Sequence, residues 1–221
     1  MDVRDTKRSI VASAFSNDGG DAVAFIDESY FAPSFEVKSR AEPFYLMTAY
    51  VVPKADLQNM RDDLEDFGPF WHSTEEHQSD EGRERIAEFA NYVGEGSEAI
   101  IVSLLCPVAK DDGNAELARR ACFRELLAAL ASGEHCARVT LAVFEERKFE
   151  KQRAADASTI KSALKDGLVP RGFHALPTSP SFECLLWLPD LVSFALYQRQ
   201  VQSGFTYAAA FSDRVVELRV K

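Results

Sequence analysis

Much that would announce a chemistry is scarce in this chain. It has only four cysteines (Cys106, Cys122, Cys136 and Cys184), and no CxxC or other metal-ligand spacing. That removes zinc ribbons and dithiol redox centres, and three of the four read as small buried hydrophobes in apolar surroundings. No GxGxxG, GxxxxGK[ST] or GxSxG is present, so nucleotide-fold and hydrolase-elbow readings have no support. No HExxH occurs either. WHSTEEH, 71–77, spaces His72, Glu75 and His77 one residue too widely for the inverted zinc motif. A hydrogen-bonded His72–Glu76 pair, one helical turn apart, is its plainer reading. No run of about 18 uncharged apolar residues exists, so a membrane span is not expected. The opening MDVRDTKRSIVASAF lacks the apolar core of a secretory signal, and a cytoplasmic setting is expected. Positive charge is in deficit as well, with 25 Lys and Arg against 35 Asp and Glu and a net charge of -10. Broad electrostatic adhesion to nucleic acid or anionic membranes is therefore disfavoured.

What is abundant is core. Hydrophobic residues make up 46% of the 221, with 16 phenylalanines, enough for one fairly large domain. A loose arm, 1–20, precedes a single domain, 21–221. DAVAFIDES (21–29) and FYLMTAYVVP (44–53) read as buried strands, with a turn-rich segment between them that has room for a hairpin. ADLQNMRDDLEDF puts Leu57, Met60 and Leu64 on one helical stripe, stopped at Gly68-Pro69. Ser79 caps a helix whose Ile86, Phe89, Ala90 and Val93 follow helical spacing, closed by Gly94. A strand at 98–108 is followed by a helix capped by Asn114 and ended at Gly133. RVTLAVFEER (138–147) is a fourth strand. A basic helical segment, a short strand near 173–176, an apolar final helix and an edge strand from RVVELRVK complete the pattern. Alternating strands and helices predict an α/β fold: a mixed sheet of about five strands with helices on both faces.

Three acids share an odd placement, each where an apolar element ends or is interrupted: Asp27 after AVAFI, Glu145 and Glu146 after VTLAVF, and Asp190 inside ECLLWLPDLVSFALYQR. A buried carboxylate is costly unless paired or metal-bound. For any one of them a salt bridge is the simpler account, with Arg147 beside Asp27 or Asp190 as the obvious partner. For three on elements able to converge, a shared Mg²⁺ or Mn²⁺ site is the sharper expectation, with two ions possible. Period-two alternation puts Val139, Leu141, Val143 and Glu145 on one face, which favours Glu145 over Glu146. Glu183 lies seven residues before Asp190 and shares its face if the helix is continuous. Pro189 either kinks that helix or stands in its first turn, where the helix dipole favours the Asp190 charge.

From Arg147 to Arg171 seven Lys and Arg stand against three acids, a local balance of +4. This is either a solvated amphipathic helix or a surface for phosphate. His72 and Glu75 are candidates for the rim of the acidic site.

FIDES (25–29), WHSTEEH (71–77), VFEER (143–147) and LLWLPD (185–190), in that order, resemble the domain of unknown function 3800 family, which has a ribonuclease H-like fold. The similarity spans roughly 21–200. It implies a metal-dependent nuclease-type centre of Asp27, Glu145 and Asp190, with Glu183 and the His72 segment as secondary positions. Such a centre hydrolyses a phosphodiester with metal-activated water, and Arg147, Lys148, Lys151 and Arg153 would position the nucleic-acid backbone. The other expectation is a non-catalytic binding or regulatory module with the same fold and an acidic pocket. Family members commonly follow Asp-Glu-Ser with glycine; Tyr30 stands here and narrows the approach. In a ribonuclease H-like sheet the second carboxylate belongs on the strand beside the first, a place open to 98–108 or 138–147.

Overall fold

The structure, a computed structural model, describes residues 13–16, 19–34, 41–202 and 207–221. Most of the expected N-terminal arm, and the tip of the turn-rich segment between the first two strands, lie outside the described residues. The strands are β1 (Ala22–Phe31), β2 (Phe44–Pro53), β3 (Ala99–Leu105), β4 (Val139–Glu145), β5 (His174–Thr178) and β6 (Val215–Arg219). The helices are α1 (Leu57–Leu64), α2 (Ser73–Glu76), α3 (Asp80–Glu95), α4 (Glu116–Ser132), α5 (Glu150–Lys165) and α6 (Trp187–Val201).

The strands form one mixed sheet in the order β5-β4-β1-β2-β3-β6, six strands where about five were expected. The tail forms the expected edge strand, parallel to β3. β1, β2 and β3 form an antiparallel meander, while β4 joins β1 in parallel and β5 joins β4 in parallel. The neighbour of Asp27's strand is therefore β4, the strand that ends in acids; β3 stands beyond β2.

Both faces are covered. Val23 and Phe25 of β1 face α1, α3 and α6 across one core, and Ala22, Ala24 and Ile26 face α4 and α5 across the other. This is why β1 and β2 read as continuous apolar runs and not as alternations. Each fully buried Leu, Val or Phe contributes about 1.5–3 kcal/mol to these layers. Among the described residues no helix is long and apolar enough to cross a membrane.

Several local expectations change. β1 continues to Phe31 beyond Asp27, although its pairing with β4 stops at Ile26 and Phe144. A register shift between Ala22 and Val23 turns Val139 to the α4 side, while Leu141 and Val143 face α6. The cap of α4 comes from Asp112, not Asn114: its carboxylate accepts from the Leu117 and Ala118 amides at 3.2 and 2.8 Å. Gly94 does not end α3, which continues to Glu95. A Cβ at Gly94 would stand 2.3 Å from the Ala210 carbonyl oxygen, so this glycine permits a close approach. The Ser79 cap stands, its hydroxyl accepting from Gly82 at 2.9 Å.

Candidate active site

Asp27 lies on the α6 side of β1, two residues beyond Phe25, opposite Thr48 of β2. The Ser193 hydroxyl of α6 hydrogen-bonds with that of Thr48 at 2.9 Å, and its oxygen lies 3.4 Å from the Asp27 carbonyl oxygen. These contacts seat α6 over that rung of the sheet. Asp190 precedes Ser193 by just under one helical turn and shares its side of the helix. A 3-10 turn, Cys184–Leu186, leads into α6, and Pro189 and Asp190 both fall in the first helical turn. There the proline's missing amide hydrogen costs little and the dipole favours the carboxylate.

Asp190 is held by the segment before α2. Its Oδ2 accepts from the Ser73 amide at 2.8 Å and the Ser73 hydroxyl at 2.7 Å, and Trp71 Nε1 donates to that hydroxyl oxygen at 2.9 Å. Glu145 is the exposed last residue of β4, within electrostatic reach of Glu28 and Asp190.

Among the three carboxylates, Asp190 and Glu145 raise the proton affinity of Asp27, and Asp190 raises that of Glu145. Asp27, 8% exposed, is pushed well above its usual 3.8 by burial and then by Glu28, Asp190 and Glu145. Burial also raises Asp190, against the pull of the two Ser73 donors and of His72. Glu145, at the open end of its strand, is raised by partial desolvation, Glu28 and Asp190, and lowered by His72 and Arg119. None of the three has a Lys or Arg salt bridge among the described residues. Uncompensated carboxylates gathered from β1, β4 and α6 are the donor chemistry of a hard divalent cation. The side chains present no ready cage, however: among the described residues no group of three or more His, Cys, Asp or Glu is arranged to hold a metal ion.

The other candidates divide. His72 is exposed immediately before α2 and acts electrostatically on both Asp190 and Glu145, so it stands at the rim. Glu75 is exposed on α2. Glu76 pairs with Arg85 at 2.8 Å and not with His72. Glu183 departs from expectation. A 3-10 turn at 184–186 separates it from α6, so the two acids do not share one continuous helix, and Arg61 binds it bidentately at 3.0 and 2.7 Å. Arg147 pairs with neither Asp27 nor Asp190; it binds Glu116 and lies 3.6 Å from Asp156. Arg153 donates to the carbonyls of Arg147 and Lys148 at 3.0 and 2.8 Å, bracing the loop before α5. Lys148 and Lys151 are exposed. The basic segment thus spends part of its charge on its own scaffold.

The residues not anticipated from sequence are Ser73, Thr48, Ser193 and above all Arg119. Arg119 is 3% exposed; it binds Asp156 at 2.8 and 3.0 Å, donates to Tyr45 Oη at 2.9 Å, and pairs with Glu28. A signal was available, because Arg119 shares the buried stripe of Cys122, Phe123 and Leu126 on α4. An arginine in such a stripe requires buried carboxylates.

No protein-family model and no curated protein matches this chain. Among solved structures it is similar to Bst-RNase HIII in complex with Mn²⁺, at 14% identity and a TM-score of 0.46, and to a mutant of Bst-RNase HIII at 13% and 0.46. Each comparison covers 85% of this chain and 55% of the other, so the chain spans about half the length of those proteins.

Proposed function

We propose that the chain is a metal-dependent phosphodiesterase acting on nucleic acid, with Asp27, Glu145 and Asp190 as ligands for Mg²⁺ or Mn²⁺. What supports this reading is the electrostatic proximity of three carboxylates from β1, β4 and α6 that have no Lys or Arg salt bridge among the described residues: Asp190 and Glu145 raise the proton affinity of Asp27, and Asp190 raises that of Glu145. Glu183, tied to Arg61, has no part in it. A bound divalent ion would supply an activated water and offset charge on the phosphate. The chain's own residues set the geometry. Ser73 fixes the Asp190 carboxylate with two donors, and Ser193 holds α6 against the Asp27 rung. His72, open to solvent at the rim, is placed to exchange a proton with a departing oxygen. Lys148 and Lys151, two of the exposed cations of the 147–171 segment, would meet the nucleic-acid backbone, while Arg147 and Arg153 hold the surface that carries them.

The test is Mn²⁺-dependent cleavage of short DNA and RNA, together with melting curves in millimolar Mn²⁺. A native-state ligand at a hundred times its Kd raises stability by about 2.7 kcal/mol. Wild type is expected to cleave and to gain melting temperature, and Asp27→Asn to lose both while remaining folded. A wild-type protein whose melting temperature ignores Mn²⁺ and that cleaves neither polymer would instead be a non-catalytic binding module.

A further inference from the structure

The layer of α4 and α5 does not close over the outer edge of the sheet. β5 is the last strand on that side. Alternation puts Ala175 and Pro177 on its α5 face, with Leu176 in the opposite core. Along α5, Arg153, Ala157, Ile160 and Leu164 follow helical spacing. Between the two elements, over the buried ring of Phe144, lies a cavity of about 300 Å³ that these residues line. Two of the positions that could have filled it, 157 and 175, hold alanine. Its size falls at the low end of small-molecule pockets, about 300–1,000 Å³, and an apolar wall with a few polar groups is their usual lining.

The polar groups decide what an occupant must carry. They are Arg147, Arg153, Lys161 and Asp156. Asp156 is buried and bound by Arg119 at 2.8 and 3.0 Å, and Arg147 is paired with Glu116. Arg153 donates through Nη1 to two backbone carbonyls, which leave its charge in place, and Lys161 is exposed. Neither has a salt bridge among the described residues. An apolar cavity thus opens between two cations, although the protein's net charge is -10. The complementary ligand is an apolar body with one anionic head, and a carboxylate suits the guanidinium fork. A peptide strand laid along the edge is a poorer occupant. The Thr178 carbonyl accepts from the Glu146 amide at 2.7 Å, so Thr178 turns its backbone toward β4 and Pro177 turns its own outward, where it has no N–H to give.

We infer that this cavity binds a small amphipathic carboxylate, its hydrocarbon body against Phe144, Ile160, Leu164 and Ala175 and its carboxylate at Arg153, with Lys161 adding attraction. The site needs no metal and stands whether or not the protein is a nuclease. The probe is 2-naphthoate, with 2-naphthalenemethanol as its neutral counterpart. Each is titrated into the whole protein, isotope-labelled at its methyl groups, at low salt and without metal. Wild type is expected to show saturable shifts with naphthoate, and nuclear Overhauser contacts from the naphthyl protons to the methyls of Ala157, Ile160, Leu164 and Ala175. The alcohol is expected to bind about tenfold more weakly. The double variant Arg153→Gln, Lys161→Gln, checked for native melting, is expected to weaken naphthoate about tenfold, the loss of two exposed ion pairs, and to leave the alcohol unchanged. If Arg153 proves necessary for folding, Lys161→Gln alone carries the charge test, with about a threefold loss expected. No saturable binding by wild type, contacts confined to other residues, equal affinity for acid and alcohol, or naphthoate affinity that ignores the substitutions overturns the site.

Discussion

Arg61 and Glu183 offer a way to separate scaffold from site. Glu183 is 3% exposed, and its carboxylate meets Arg61 at 3.0 and 2.7 Å, while one oxygen also accepts from the Leu185 amide at 3.3 Å. Arg61 itself is 27% exposed and lies 5.1 Å from the Phe15 ring. Removing one partner of a buried pair leaves an uncompensated charge and costs about 3–5 kcal/mol. Here solvent can follow into the space left by the partly exposed arginine, which favours the low end, about 3 kcal/mol for Arg61→Ala. For a domain of this size each kcal/mol moves the melting temperature by about 2–4 °C, so a drop of roughly 6–12 °C is expected. Glu183→Gln keeps the shape and an acceptor, and is expected to cost about 1–2 kcal/mol. The assay is calorimetry or circular dichroism at pH 7, with and without millimolar Mn²⁺. If Glu183 serves the fold alone, the Mn²⁺ increment is the same in both variants as in wild type. Arg61→Ala melting within a degree of wild type would refute the energetic argument. Loss of the Mn²⁺ increment in Glu183→Gln would return this residue to the site.

Two further outcomes follow from the acids and their supports. Asp27 and Asp190 bind protons more tightly folded than their usual 3.8, so the stability they contribute is full below about pH 4 and is lost as pH rises through their folded values. Without metal, the melting temperature of wild type relative to Asp27→Asn should therefore fall from pH 4 to pH 8; a constant difference would show that Asp27 is not crowded by Glu28, Asp190 and Glu145. Ser73→Ala removes a donor to Asp190 and strands Trp71 Nε1, with an expected loss of about 1.5–3 kcal/mol in thermal melts; no loss would mean that Ser73 does not hold Asp190.

Element positions were largely legible in the sequence because their signals are local. Ile86, Phe89, Ala90 and Val93 need only helical period, and the strands from Val23 and Phe44 need only unbroken apolar runs. Which acids meet was less legible, because that depends on strand order. Placing β4 and not β3 beside β1 is a nonlocal choice, made by the crossover and by the β1–β2–β3 meander. The errors share that origin. Glu183 and Asp190 share a helical face only if the helix is continuous, and the 3-10 turn at 184–186 breaks that relation. Arg147 lies close to Glu145 in sequence, but its partner Glu116 arrives from α4, and no spacing rule reports that encounter.

The adjacency of Asp27 and Glu28 shows how site and scaffold are joined. Successive residues of a strand point to opposite faces, so this pair sends one carboxylate toward α6 and one toward α4. Glu28 is met by Arg119, whose other contacts reach Asp156 of α5 and Tyr45 of β2. Among the described residues Asp27 has no such cation. A one-residue slip of β1 would exchange the two, giving the cluster's acid to the arginine and leaving the paired acid among carboxylates. The register that prevents this is long: β1 and β2 pair from Ala22 with Pro53 to Phe31 with Phe44. Extension of β1 past Asp27, where β4 no longer pairs with it, is thus what holds the acid in place. Strand length, more than any single contact, is why one acid remains unpaired beside a neutralised neighbour.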